Sequence, residues 1–183
     1  MALLQKIKLI LILVTLIGCG SKEPKTSADQ DLAIGIIADC QYCYCESSPT
    51  RFYKNSPEKL QNAVDSLNSS TLDYAIHLGD FIDRDFSSFD TVGPIWNTLK
   101  TKKYQVLGNH DFSVADSLKP LVPHKMNLKQ RYYSFVEQDW RFIVLDGNDL
   151  SYQGAITPEK LAQTDSLFTL LSKSNPPNLQ TWN

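Results

Sequence analysis

Three clusters of side chains able to hold a hard cation recur along the chain: Asp39-Cys40-Gln41, Gly79-Asp80-Phe81-Ile82-Asp83 and Gly108-Asn109-His110-Asp111. Carboxylate and amide oxygens suit magnesium, manganese or iron better than a thiol-rich site would. An apolar run leads into each cluster: Ile34-Gly35-Ile36-Ile37-Ala38, Tyr74-Ala75-Ile76-His77-Leu78 and Tyr104-Gln105-Val106-Leu107. Runs this short and this apolar read as strands buried on both faces. In an open α/β sheet, ligands gather outside the carboxyl ends of neighbouring strands. Oxygen ligands at three such ends imply metal-dependent hydrolysis.

To bring the clusters together, the chain must return to the same edge of the sheet after each strand. The first strand spans about 32–38, and residues 57–68 supply the first return. There Leu60, Ala63, Val64 and Leu67 recur at i, i+3, i+4 and i+7, the stripe that packs on a sheet. Ser56 reads as the N-cap and Pro57 as the first helical residue. A second helix within 89–100 leads to the third strand. Such strand–helix–strand alternation implies right-handed crossovers and a parallel core, hence the α/β class. The pattern then changes. Residues 131–136 and 141–145, separated by Glu137-Gln138-Asp139-Trp140, read as an antiparallel hairpin. Tyr132, Tyr133 and Trp140 are expected to pack across its strands. A last helix starts at Thr157-Pro158 and is expected to bury Leu161, Phe168 and Leu171.

At the three clusters the chain resembles the calcineurin-like metallophosphoesterases, whose ordered motifs are Asp-x-His/Gln, Gly-Asp-x-x-Asp and Gly-Asn-His-Asp/Glu. Gln41, together with Arg51-Phe52-Tyr53-Lys54-Asn55-Ser56, Arg131-Tyr132-Tyr133-Ser134-Phe135 and Leu145-Asp146-Gly147-Asn148-Asp149, is similar to the manganese-dependent ADP-ribose/CDP-alcohol diphosphatase group. The resemblance implies a two-sheet sandwich flanked by helices, of which this chain carries the N-terminal half to two-thirds. The family's later strand-end histidine and Gly-His-x-His motif find no match, because the only histidines are His77, His110 and His124.

The resemblance also implies two divalent ions, manganese first, with magnesium, iron or zinc as alternatives. Such a pair neutralises a phosphate, generates hydroxide and steadies the leaving group. Asp39 and Gln41 would hold one ion, Asp80 would bridge both and Asn109 would hold the other. His110 would steady the developing charge or protonate the leaving oxygen, and Asp83 would fix its tautomer. Arg51 offers a fork for a phosphate, and Tyr53 a face for a base or ribose. Asp111 is read as a helix cap, Asp146 as structural, and Asp85 and Asp90 as solvated loop acids. The expected substrate is a phosphorylated, nucleotide-linked small molecule such as ADP-ribose or a CDP-alcohol, cleaved at its pyrophosphate. Two alternatives stand beside it: another phosphodiesterase or phosphomonoesterase of the same family, or a chain inactive for want of the C-terminal histidines.

Composition narrows the partners. A net charge of −2 and a pI of about 5.9 provide no basic field for nucleic acid. Lys6 and Lys8, the apolar run 9–17 and Leu16-Ile17-Gly18-Cys19 resemble a bacterial lipoprotein signal. On that reading 1–19 is the signal, Cys19 is lipidated, 20–31 is a polar tether and 32–183 is the partial catalytic domain. The protein would then be lipid-anchored in the cell envelope. An ordinary secretory peptide or an uncleaved anchor is the alternative. Cys40, Cys43 and Cys45 remain, with Cys40 expected to point away from the side bearing Asp39 and Gln41. They read as loop cysteines or one local disulfide, and as a separate metal site only second.

Overall fold

The computed structural model describes residues 31–174, so the 1–19 segment, Cys19 and all of the tether except Asp31 lie outside the described residues. Within them, no helix is long and apolar enough to cross a membrane. The first three strands are β1 (Ile34–Ile37), β2 (Tyr74–His77) and β3 (Lys103–Gln105), all parallel and in the order β1-β2-β3. Helix α1 (Ser56–Asn68) connects the first pair and α2 (Phe89–Asn97) the second. The α1 cap differs from expectation. Ser56 is already helical, Asn55 precedes it without a side-chain capping bond, and Pro57 takes the first turn, where its missing N–H has no helical partner to lose.

Side chains alternate across β2, and the two faces of the sheet meet different partners. Ala75 and His77 point to the helices, into a core with Leu60 and Val64 of α1 and Val92 and Trp96 of α2. Each such buried aliphatic side chain contributes about 1.5–3 kcal/mol. Tyr74 points to the opposite face, where it meets Phe135 and Phe142 with ring centroids 5.4 and 5.3 Å away. Those rings belong to the antiparallel hairpin of β4 (Tyr133–Glu137) and β5 (Trp140–Val144). Before it comes one short helical turn, α3 (Val122–Lys125). The hairpin also closes the outer edge of β3: the Tyr133 hydroxyl donates to the Gln105 carbonyl at 2.6 Å and accepts from the Gln105 N–H at 3.2 Å.

The far side of the hairpin corrects two expectations. Tyr132 and Trp140 are each 64% exposed and pack across neither strand, whereas Tyr133 seals the sheet edge. The last helix, α4 (Pro158–Ser174), leaves Leu161, Phe168 and Leu171 at least 42% exposed and buries only Thr164. An apolar stripe shows that a helix has a face to cover, and among the described residues little covers this one.

Candidate metal centre

The strands stop, but their hydrogen-bond ladder runs on into the site. The Asp39 N–H donates to the Gly79 carbonyl at 3.2 Å, Gln41 N–H to the Asp80 carbonyl at 2.8 Å, and Tyr42 N–H to the Phe81 carbonyl at 3.3 Å. The loops after β1 and β2 therefore continue the pairing of the strands. Asp39, Gln41 and Asp80 all take left-handed backbone, with φ of 55°, 43° and 53°. Aspartate tolerates this region better than most residues, and glutamine does not. Unusual backbone at several adjacent polar residues is characteristic of functional sites.

The third loop meets the second through two glycines. Gly79 sits at φ 94°, and a β-carbon there would collide with the backbone of Gly108. A β-carbon on Gly108 would in turn strike the backbone nitrogen and carboxylate of Asp80. Asp111, taken above for a helix cap, instead locks this junction. It is fully buried and accepts backbone N–H bonds from Asp80, Phe81, Ile82 and Gly108 at 2.7–3.2 Å. Burial pushes its carboxyl up to about 7, against the N–H donors that favour the anion.

The predicted ligands converge from separate loops. The Gln41 side-chain amide donates to the Asp39 carboxylate at 3.3 Å and to the Asp80 carboxylate, also at 3.3 Å. The second Asp80 oxygen accepts from the His110 backbone N–H at 2.8 Å. Two carboxylates gathered around one uncharged amide N–H leave negative charge that a divalent cation would neutralise, and rotation of the Gln41 amide would add its oxygen to that set. Asn109 stands exposed before the single turn His110–Phe112 and makes no side-chain capping bond, which leaves its amide for another use. These oxygen donors fit manganese or magnesium. Among the described residues no group of three or more His, Cys, Asp and Glu side chains is placed to hold an ion. The donor set here is two carboxylates and two amides.

Beside it, the His110 Nδ1 lies 3.1 Å from one oxygen of Asp83. The other oxygen accepts from Arg84 at 3.0 Å, and Arg84 also donates to the Tyr53 hydroxyl at 3.0 Å. Burial pushes the Asp83 carboxyl up, but the hydrogen bonds from Arg84 and His110 outweigh it and hold it below the usual carboxylate range. This changes the reading of Tyr53. Its ring is only 6% exposed and lies under the Arg84 guanidinium, so it supports Arg84 and offers no open face to a base. Arg51 is near but looser, 3.7 Å from Asp83. Arg84 was not singled out in the sequence, although it directly follows Asp83 and shares the left-handed backbone of the other site residues.

The remaining candidates separate from the centre. Cys40 packs against the core while also lining the cleft beside Asp39 and Gln41, and burial raises its thiol to about 12. Cys43 and Cys45 form a disulfide. His77 is fully buried beneath Phe81 and Trp96, His124 lies in α3, and neither joins the site. Asp85 caps the turn Phe86–Ser88 through the Ser87 N–H, Asp90 pairs with Lys125, and Asp146 holds Arg131.

A family model described as calcineurin-like phosphoesterase matches residues 32–181. A curated zebrafish (Danio rerio) protein named manganese-dependent ADP-ribose/CDP-alcohol diphosphatase is 28% identical over 155 residues, covering 69% of this chain and 48% of the relative. A crystal structure of a dimetal phosphatase from the same organism superposes with a TM-score of 0.60 at 27% identity, over 81% of this chain and 54% of the other. The chain thus spans about half the length of the relatives it matches.

Proposed function

The chain belongs to the calcineurin-like phosphoesterase family, and on that premise we propose that the protein hydrolyses the phosphoanhydride of a nucleotide-linked molecule such as ADP-ribose or a CDP-alcohol, with manganese as its ion. The observation that carries this reading is the convergence of Asp39 and Asp80 on Gln41 at the carboxyl ends of paired parallel strands, with His110 fastened to Asp80 through its backbone. The zebrafish relative's name supports the substrate class and the metal. When bound, divalent ions would neutralise the phosphate and lower the pKa of an attacking water.

The protein's own groups do the rest. Asp39, Gln41, Asp80 and Asn109 would hold the ions. Asp83 accepts the Nδ1 proton of His110, which leaves Nε2 to face the leaving oxygen, and Arg84 keeps Asp83 ionised by bonding its outer oxygen. Tyr53 and its hydroxyl hold Arg84 in place. Release of AMP from ADP-ribose and of CMP from CDP-choline, with and without manganese, tests the reading on this chain and on any longer reading frame that encodes it. Folded, manganese-loaded protein that releases neither product would reject the substrate class.

The N-terminal sequence adds a location. We infer that Cys19 carries a lipid that tethers the domain to the cell envelope through 20–31. Incorporation of a clickable palmitate analogue into the full chain, lost in Cys19→Ser, is the expected result.

A further inference from the structure

A cleft of about 380 Å³ opens beside Asp39 and Gln41, walled by the end of β1, the loop 50–53 and one side of α1. Its size lies within the range of small-molecule sites. Four cations surround this side of the molecule, and they differ in how firmly they are paired. Lys54 is paired with Glu46 at 2.6 Å, and Arg84 is committed to Asp83 and Tyr53. Neither lines the cleft. Arg51 and Lys59 both line it. Arg51 forms only a loose ion pair, at 3.7 Å, with an Asp83 carboxylate that Arg84 and His110 already satisfy by closer contacts. Among the described residues Lys59 has no carboxylate within ion-pair distance, although it stands on the same turn of α1 as Leu60, which also lines the cleft. Phe52 also lines the cleft and leaves 56% of its surface in solvent.

An exposed phenyl ring that shares a cleft with an unpaired lysine and an arginine held only loosely by Asp83 is poorly placed for folding and well placed for a ligand that is anionic at one end and aromatic at the other. We propose that Arg51, Lys59 and Phe52 form a recognition subsite for a nucleoside diphosphate group. Arg51 and Lys59 take the phosphate that is not attacked, and Phe52 stacks on the base. The subsite rests on the phosphoanhydride reading above and sharpens it: Phe52 offers the aromatic face that buried Tyr53 lacks, and Lys59 supplies the second charge that a diphosphate brings with it.

The test is equilibrium binding by calorimetry in manganese buffer. It compares α,β-methylene-ADP, which resists hydrolysis, with methylenediphosphonate, the same anion without a nucleoside. Phe52→Leu is expected to weaken the nucleotide about tenfold and to leave the bare anion unchanged, as loss of one stacked base predicts. Phe52→Tyr should restore wild-type affinity. Lys59→Met should weaken both ligands several-fold, and Lys54→Met neither. The subsite is overturned if the wild-type chain binds neither ligand, if Phe52→Leu weakens both equally, or if Phe52→Leu and Lys59→Met both bind as wild type. A chain that cleaves ADP-ribose while both variants keep wild-type affinity would overturn the subsite alone. The expected binding pattern without any hydrolysis would support the subsite and reject the proposed activity.

Discussion

Gly108 lacks a side chain because Asp80 fills the space one would need. Replacing it with alanine forces a methyl group against the fixed backbone nitrogen of Asp80 and against its carboxylate, which the His110 N–H holds in place. Overpacking of this kind costs about 1–3 kcal/mol, and the displaced carboxylate should lose its ion as well. Gly108→Ala is therefore expected to lower both the melting temperature and manganese affinity; unchanged affinity in a folded variant would show that Asp80 does not depend on this contact. His77 makes a different kind of prediction. Burial lowers its pKa to about 4, and Nδ1 accepts the Gly79 N–H, so the folded ring is neutral. Unfolded histidine titrates near 6.5. Between these values only the unfolded chain takes up the proton, so this stability is present above about pH 6.5 and is lost as pH falls toward 4. From pH 7 to 5 the loss should be about 2 kcal/mol. Urea midpoints at the two pH values, compared with those of His77→Gln, measure it, and equal slopes in the two proteins would refute a neutral buried ring.

Among the elements, the hairpin is built one-sided. Its inner face carries Phe135 and Phe142, stacked 5.1 Å apart, and bonds Lys102 and Tyr104 through Glu137. Its outer face shows Val136, Ile143 and Leu145 at 50–74% exposure. Adjacent apolar groups in water favour association. The 183-residue chain is expected to self-associate at high concentration and to bind a hydrophobic dye, and Ile143→Lys with Leu145→Lys should reduce both without lowering stability. Monodisperse wild-type protein that ignores the dye would contradict an open apolar face. The α/β crossovers need no such allowance: α1 and α2 bury Leu60, Val64, Val92 and Trp96 on the same sheet face.

At the level of the whole chain, the three loops become one site only when the domain is folded, so metal binding and folding are linked. Manganese at a hundred times its dissociation constant would stabilise the native state by about 2.7 kcal/mol. A calorimetric melt should rise with added manganese, revert on chelation and lose the response in Asp80→Asn. A melt that rises equally in that variant would place the ion elsewhere.

Much of this was legible in one dimension, for reasons that are local. The first two strands are short apolar runs that lead into polar clusters, the first helix is an i, i+3, i+4, i+7 stripe, and the order of the motifs matches the family. By contrast, β3 forms over Lys103-Tyr104-Gln105, earlier than the apolar run 104–107 indicates. Order along the chain also exposed Asp39, Gln41, Asp80, Asn109, His110 and Asp83 as a set. Other features depend on segments about thirty residues apart. Asp111 looks like a cap until Phe81, Ile82 and Gly108 are seen to surround it with N–H groups, and no spacing rule marks that arrangement. Tyr53 has the composition of a substrate platform, yet Arg84 covers it, and Phe52 next to it faces the cleft. The stripe of α4 announces an apolar face without saying what meets it. Periodicity and motif order are properties of the covalent chain, whereas burial, charge pairing and access belong to whichever segments folding brings alongside.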